Sequence, residues 1–361
     1  MSKAAELANL IGNINAGGGG VNRNLIINGA MNVAQRATST SMAHDGTTST
    51  HVCDRFLAIF VNMDELDGTL SQDSSAPDGF ANSLKWTTGT AESAIATTEY
   101  YTIMQKIEAQ NLQTLKYGTS GAVPITLTFY VKSSITGTYG ITLQQLDVSR
   151  NRGSTYTINS ANTWEKKTIT FSGDTSGVIN EDNGEGLRVE WHLAAGATYT
   201  ASANSDWATA TNGRYAGSGH TQNGVATTAG ATWFLSGVQL EIGQNATEFE
   251  HEPFERALTK CQRYYEILSV TSSTSNLSGP VAVGQNTNER KTIGPYFYKT
   301  EKRAAPTVAN VTIGIDAGDT AHAFVFSTDT RSTVGVSTTS TDIGEADGLE
   351  GSFNITVDGE M

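Results

Sequence analysis

Between positions 125 and 132 the chain alternates: Ile125, Leu127, Phe129 and Val131 are apolar, and Thr126, Thr128, Tyr130 and Lys132 stand between them. A period of two puts one set on each side of a pleated strand, so this stretch predicts a half-buried strand. The same rhythm places Leu187, Val189, Trp191 and Leu193 on one face of a second strand, and Phe234, Val238, Leu240 and Ile242 on one face of a third. Turn signals lie between them at Thr136-Gly137-Thr138, Gly173-Asp174 and Asn212-Gly213. Many short alternating strands joined by glycine-rich turns predict an all-β fold, a jelly roll or β-sandwich, over residues 21–250. Within it, Glu108 to Tyr117 is expected to form a helical turn between strands.

The two ends of the chain depart from that rhythm. Leu7, Leu10, Ile11 and Ile14 follow helical spacing in an alanine-containing stretch, which predicts a short amphipathic helix. Fewer than four turns rarely hold alone in water, so this helix is expected to dock on a partner or bundle with copies of itself. Asn15 to Gly20, with four consecutive glycines, supplies a hinge, and residues 1–20 read as an attachment segment. At the other end, Phe254, Leu258, Cys261, Tyr265 and Leu268 predict a helix from Pro253 to Leu268, with proline suited to the first helical position. Helix and Ser/Thr linker together fill residues 251–278. Apolar pairs such as Val281 with Val283, Phe324 with Phe326 and Ile355 with Val357 then predict a small C-terminal β module over 279–361.

The composition sharpens this picture. The chain has 361 residues, a net charge of −13 and only 16% charged residues, with 37 glycines. Neutral polar side chains replace the usual charges, while 38% hydrophobic residues suffice for a core. An acidic total with scattered lysines gives no concentrated basic face, so nucleic acid is not an expected partner. No apolar run approaches the roughly 18 residues of a membrane span, and the start lacks a basic stretch followed by a long apolar one. Membrane insertion is therefore not expected, and assembly in a cytoplasm is. Cys53 and Cys261 form no metal-ligand spacing and read as two buried, reduced thiols.

Catalytic chemistry is thin. His44, His51, His192, His220, His251 and His322 show no paired ligand spacing, and there is no P-loop, nucleophile elbow or dinucleotide fingerprint. Glu181 to Glu185 does not match a calcium loop and reads as a solvated turn. No cofactor, no metal and no enzymatic activity are expected; glycan cleavage stays a minor alternative, because it needs two carboxyl groups facing across a cleft. Binding is the stronger expectation. The long stretch 201–230 carries Trp207, Arg214, Tyr215 and His220 without strand periodicity. Aromatic faces stack on sugars and the polar heads reach hydroxyls, so these four are the candidate glycan contacts. The bland alternative is that the rings tuck beneath the loop as a satellite core. Thr328 to Ser340 is a rival location.

Several stretches are similar to a module of tailed-phage virion proteins, the carbohydrate-binding-like jelly roll of phage tail fibres. They are Asn24-Leu25-Ile26-Ile27-Asn28-Gly29-Ala30-Met31-Asn32-Val33-Ala34-Gln35-Arg36 with Cys53-Asp54-Arg55-Phe56, then Phe129-Tyr130-Val131-Lys132-Ser133, and Phe234 to Gly243. Thr247 to His251, Cys261 to Glu266 and Lys302 to Val308 resemble the usual sequel. The resemblance implies a non-enzymatic tail fibre, often trimeric, held to other virion proteins by its N-terminus and displaying β domains toward host-surface glycans. A head fibre or capsid decoration protein without a receptor is the alternative it leaves open. It transfers no sugar-contacting residue, since a fold label does not carry site chemistry.

Overall fold

The computed structural model describes residues 3–5, 22–44, 46–273, 276–277, 283–286, 290–313, 324–327, 333–338 and 352–361. The predicted N-terminal seam of Leu7, Leu10, Ile11 and Ile14, and the hinge after it, lie outside the described residues. The chain divides into two compact units, 1–257 with Met361, and 258–360.

The first unit is a β-sandwich, as the alternation predicts. Its strands are β1 (Ser39–Met42), β2 (Gly46–His51), β3 (Leu57–Met63), β4 (Gly68–Asp73), β5 (Ser83–Thr88), β6 (Tyr100–Glu108), β7 (Ile125–Ser133), β8 (Gly137–Gln145), β9 (Arg150–Ile158), β10 (Glu165–Phe171), β11 (Glu185–Ala195), β12 (Ala208–Thr209) and β13 (Thr232–Ile242). They form a six-stranded sheet in the order β1-β4-β5-β13-β7-β10 and a seven-stranded sheet in the order β12-β9-β8-β11-β6-β3-β2. Neighbouring strands are antiparallel, giving the expected all-β jelly-roll layout. The interruption after β6 is a 3-10 helix, Ala109–Leu115, whose Leu112 and Leu115 are buried.

The core lies between the sheets. Ile125, Leu127, Phe129 and Val131 on β7 and Leu187, Val189, Trp191 and Leu193 on β11 are all fully buried, so both period-two readings point the right side chains inward. Rings from the two sheets meet edge to face: Trp86 on β5 lies 5.3 Å from Phe60, and Phe129 lies 5.7 Å from Trp191. Such contacts add about 0.5–1.5 kcal/mol each beyond the buried area. Cys53 and Cys261 are buried free thiols, and burial pushes the Cys53 thiol far above the ordinary cysteine range.

The third alternating run is broken by a bulge. On β13 the register slips between Ser236 and Gln239, and Gly237 sits at φ +58°. Before the bulge Trp233 and Leu235 face the core; after it Leu240 and Ile242 do, paired with Leu127 and Ile125. Phe234 consequently lies on the outer face, opposite Lys132, and not with Val238, Leu240 and Ile242. A Cβ at Gly237 would meet Phe80 Cζ at 2.7 Å and Tyr130 Cδ2 at 2.8 Å. Left-handed strain and crowding together should make Gly237→Ala cost about 2 kcal/mol in urea unfolding, whereas an unchanged midpoint would mean the bulge relaxes freely.

The second unit opens differently from its sequence pattern. The helix runs only from Phe254 to Gln262, preceded by Pro253 as expected. Tyr265 and Leu268 then lie on strand β14 (Tyr265–Ser273), which pairs with β21 (Ser352–Asp358). Ile267, Val270 and Thr271 explain the early end: β-branched residues favour the ladder over two further helical turns. The predicted linker is thus largely strand. With β15 (Asn276–Leu277) and β18 (Thr307–Ile313), these strands make one four-stranded sheet. A second is built from β16 (Val283–Asn286), β17 (Arg290–Phe297), β19 (Phe324–Ser327) and β20 (Thr333–Thr338). The rival loop 328–340 therefore contains a strand, with its other residues outside the described set.

Candidate functional site: a tyrosine-lined cleft on the seven-stranded sheet

A strand in a one-sided sheet turns a wet face to solvent, but β11 does not. Glu190 and His192, which alternate with its core residues, are fully buried. The cover is the long segment after β11, which crosses the outer face of the seven-stranded sheet before returning to β13. Polar groups on both sides hold it down. The Thr142 hydroxyl donates to the Tyr215 carbonyl at 2.6 Å, and the Gly153 amide donates to the Asn204 carbonyl at 2.6 Å.

The four residues predicted from this segment have separate duties. Trp207 is half-buried, donates its indole N–H to the Ser172 carbonyl at 2.7 Å and meets the Tyr117 ring edge-on at 5.7 Å. Arg214 donates to Asn151 Oδ1 at 3.1 Å, to the Ala203 carbonyl at 2.6 Å and to the Asp206 carbonyl, stapling the segment to itself and to β9. His220 is buried; its Nδ1 accepts the Gly140 amide at 3.0 Å and its Nε2–H donates to Asn223 Oδ1 at 3.0 Å. Burial pushes its pKa down to about 4. These three are thus engaged in internal contacts, as is the Tyr215 hydroxyl, because a segment this polar must satisfy its polar groups when it lies on a sheet.

Tyr215 alone of the four lines a cleft. The cleft, about 410 Å³, opens among Tyr100 on β6, Gln144 on β8, Asn151 on β9, Arg188 on β11, and Tyr199 and Tyr215 from the covering segment. The three tyrosine rings meet: Tyr100 lies 4.7 Å from Tyr199 and 4.9 Å from Tyr215, and Tyr199 lies 5.8 Å from Tyr215. Beneath them the Tyr215 hydroxyl donates to Glu190 Oε1 at 3.0 Å. Arg188 also reaches Glu190, at 3.3 Å, and pairs with Glu185 through Nε and, at 3.0 Å, through its second nitrogen. Burial pushes the Glu190 carboxyl up to about 7 against the pull of Arg188 and Tyr215. Gln144 Oε1 is a buried acceptor with no hydrogen-bond partner. A second cavity of similar size, lined by Arg152, Ser154, Phe171 and Asn204 among others, has one aromatic ring and no tyrosine.

Tyr100, Gln144, Arg188 and Tyr199 escaped the sequence reading. For Tyr100, Gln144 and Arg188 the signal was available but faint: they stand on strand faces that a one-sided pattern assigns to water. Among the described residues one group has the spacing of metal ligands, Asp64, Glu92 and Glu99, with carboxylate oxygens within 4.8 Å of one another. Glu92 accepts the Asp64 and Glu65 amides and Glu99 the Ala96 amide, so backbone donors already serve two of the three carboxylates.

No family model matches the sequence, and no curated protein matches it. Among solved structures, the sandwich is similar to the enzymatically active domain of bacteriophage CBA120 tailspike protein 4, at 11% identity and TM-score 0.33, covering 61% of this chain and 21% of that one. The chain thus spans about a fifth of that domain's length. It is also similar to a putative sugar binding protein from Bacteroides thetaiotaomicron, at 14% identity and TM-score 0.31, covering 61% of this chain and 99% of that one. A CBM4 structure is similar at 10% identity and TM-score 0.28, covering 60% and 97%. At these TM-scores the likeness is too distant to bring a ligand or an activity to this chain.

Proposed function

We propose that this chain is a structural fibre protein of a tailed-phage virion, binding and not cleaving a host-surface glycan through the cleft on the seven-stranded sheet. The observation that carries the binding half is the pairing of three clustered tyrosine rings with an unpartnered buried acceptor, Gln144 Oε1, in one cleft. Its volume lies in the range of about 300–1,000 Å³ usual for small-molecule sites. Sugar hydroxyls supply the missing donor, and their C–H faces suit the tyrosines. None of the residues lining the cleft carries a carboxyl group, which favours binding over glycoside hydrolysis.

The virion half rests on the motif resemblance at Asn24 to Arg36, Phe234 to Gly243 and Lys302 to Val308. In this reading residues 1–20 attach the fibre to other virion proteins, the protein assembles in the host cytoplasm, and trimeric display multiplies a weak single-site affinity. The internal engagement of Trp207, Arg214 and His220 favours a second reading, a head fibre or decoration protein with no receptor. Labelling phage particles with an antibody to this chain, viewed by electron microscopy, separates the two. The proposal expects label at the tail; label confined to the head, with no binding of the purified protein to a bacterial glycan array, would replace it with the decoration role.

A further inference from the structure

The opposite sheet presents a different chemistry. Across the six-stranded sheet one rung reads Lys85 on β5, Phe234 on β13, Lys132 on β7, with Trp164, the residue before β10, beside it. The next rung carries Ser236, Tyr130 and Lys166. Phe234 is nearly buried and serves as a floor: Lys132 Nζ lies 4.0 Å and Lys85 Nζ 5.3 Å from its ring centroid. Lys132 is also 5.0 Å from the Trp164 centroid, and Lys166 Nζ is 5.8 Å from that of Tyr130.

Two ammonium groups over one ring repel each other. Burial and the Lys85 charge together hold the Lys132 pKa below the ordinary lysine value, against the pull of Asp73. Asp73 compensates Lys85 directly, at 3.0 Å, while Lys132 meets only the neutral Ser75 hydroxyl, at 2.6 Å. The nearby Glu165 carboxylate is already taken by Lys167 and by the Asn159 and Ser160 amides. The strip therefore sets three ammonium groups against one carboxylate, Asp73, which is already paired with Lys85, on a chain whose net charge is −13.

From this juxtaposition of two lysines outside any ion pair among the described residues, Lys132 and Lys166, with half-buried rings we infer that the outer face of the six-stranded sheet is a second binding site, taking an acidic polysaccharide. The anionic group, carboxylate or sulfate, bridges Lys85 and Lys132 with help from Ser75; Trp164 and Tyr130 support the flanking sugar rings, and Lys166 meets the next charge about 7 Å further along the strands. A single-stranded nucleic acid also combines anions with stackable rings. It needs a longer basic track than three lysines, so the polysaccharide fits better.

The site does not depend on the tyrosine cleft, and its test keeps the two apart. Full-length protein is titrated by calorimetry with a galacturonic acid hexamer, a sulfated hexasaccharide, a neutral hexamer and an oligothymidylate. At least one acidic sugar is expected to bind, weakening as ionic strength rises, with no binding of the neutral hexamer at this face. Lys132→Met and Lys166→Glu should each weaken that binding about tenfold or more, while Tyr199→Ala in the cleft leaves it unchanged. Lys166 is exposed, so its variant keeps the test valid if Lys132→Met unfolds. The inference fails if neither acidic sugar binds, if the lysine variants bind as wild type does, if the oligothymidylate binds in preference, or if the face proves to be a self-association surface that Lys166→Glu disrupts in sedimentation.

Discussion

Lys302→Ala should lower the stability of the second unit by about 3–5 kcal/mol, because it strands a buried carboxylate. Lys302 and Glu266 are both fully buried, with Nζ 2.7 Å from Oε2, and Nζ also donates to the Gln262 carbonyl. Burial lowers the Lys302 pKa and the Glu266 carboxylate opposes that shift, as a paired interior ammonium should show. Removing one partner leaves the other charged or forces it to take up a proton, and either outcome costs stability. A buried pair is not itself a strong source of stability. The double variant Lys302→Met/Glu266→Leu should accordingly recover most of the loss. Urea unfolding of the single and double variants checks both statements, and equal losses in the two would show that packing, not charge, dominates there.

His220 gives the second large effect, and its sign is fixed by its hydrogen bonds. Nδ1 accepts the Gly140 amide, so the ring must stay neutral to keep the covering segment seated. Its pKa is pushed down to about 4 from 6.5. Below about pH 6.5 the unfolded chain takes up a proton that the native state refuses, so stability falls until the native ring also protonates near pH 4. The loss amounts to about 3 kcal/mol over that window and is absent above it. Glu190 works in the opposite direction: its carboxyl, raised to about 7, protonates first in the native state and adds stability as pH falls below 7. The contrast between wild type and His220→Gln isolates the imidazole. Their stabilities should converge by about 3 kcal/mol between pH 7 and 4, and parallel curves would mean that His220 is accessible to protons in the native fold.

These cases show what the sequence could and could not carry. The faces of β7 and β11 were legible because a sheet with one core side imposes strict alternation, and Ile125 to Val131 obey it. The bulge at Gly237 was not, since one inserted residue exchanges the faces of β13 without disturbing its composition. Helical spacing continues past Gln262 through Tyr265 and Leu268, but residues three apart fall on opposite faces of a strand, and the pairing of β14 with β21 decides the matter. The long loop is legible as a segment of unusual composition, but composition alone leaves glycan contact and a satellite core both open for its rings. The loop covers β11, which is why Trp207, Arg214 and His220 turn to internal partners. The cleft itself joins Tyr100 to Tyr215 and Gln144 to Arg188, groups far apart in the chain, through sheet order that alternation alone does not specify.

The central claim is that the tyrosine-lined cleft binds glycan, and affinity measured with cleft variants tests it most directly. A neutral ligand selected by wild-type protein on an array of bacterial oligosaccharides would be titrated by calorimetry into wild type, Tyr199→Ala and Gln144→Ala, each confirmed as folded by thermal unfolding. Loss of the tyrosine stacking surface should weaken binding by about tenfold or more, and loss of the Gln144 acceptor should weaken it by a similar factor, while Lys166→Glu on the other sheet has no effect on a neutral ligand. Equal affinity of the neutral ligand in wild type and both cleft variants, or no neutral ligand for the wild type at all, would contradict the account.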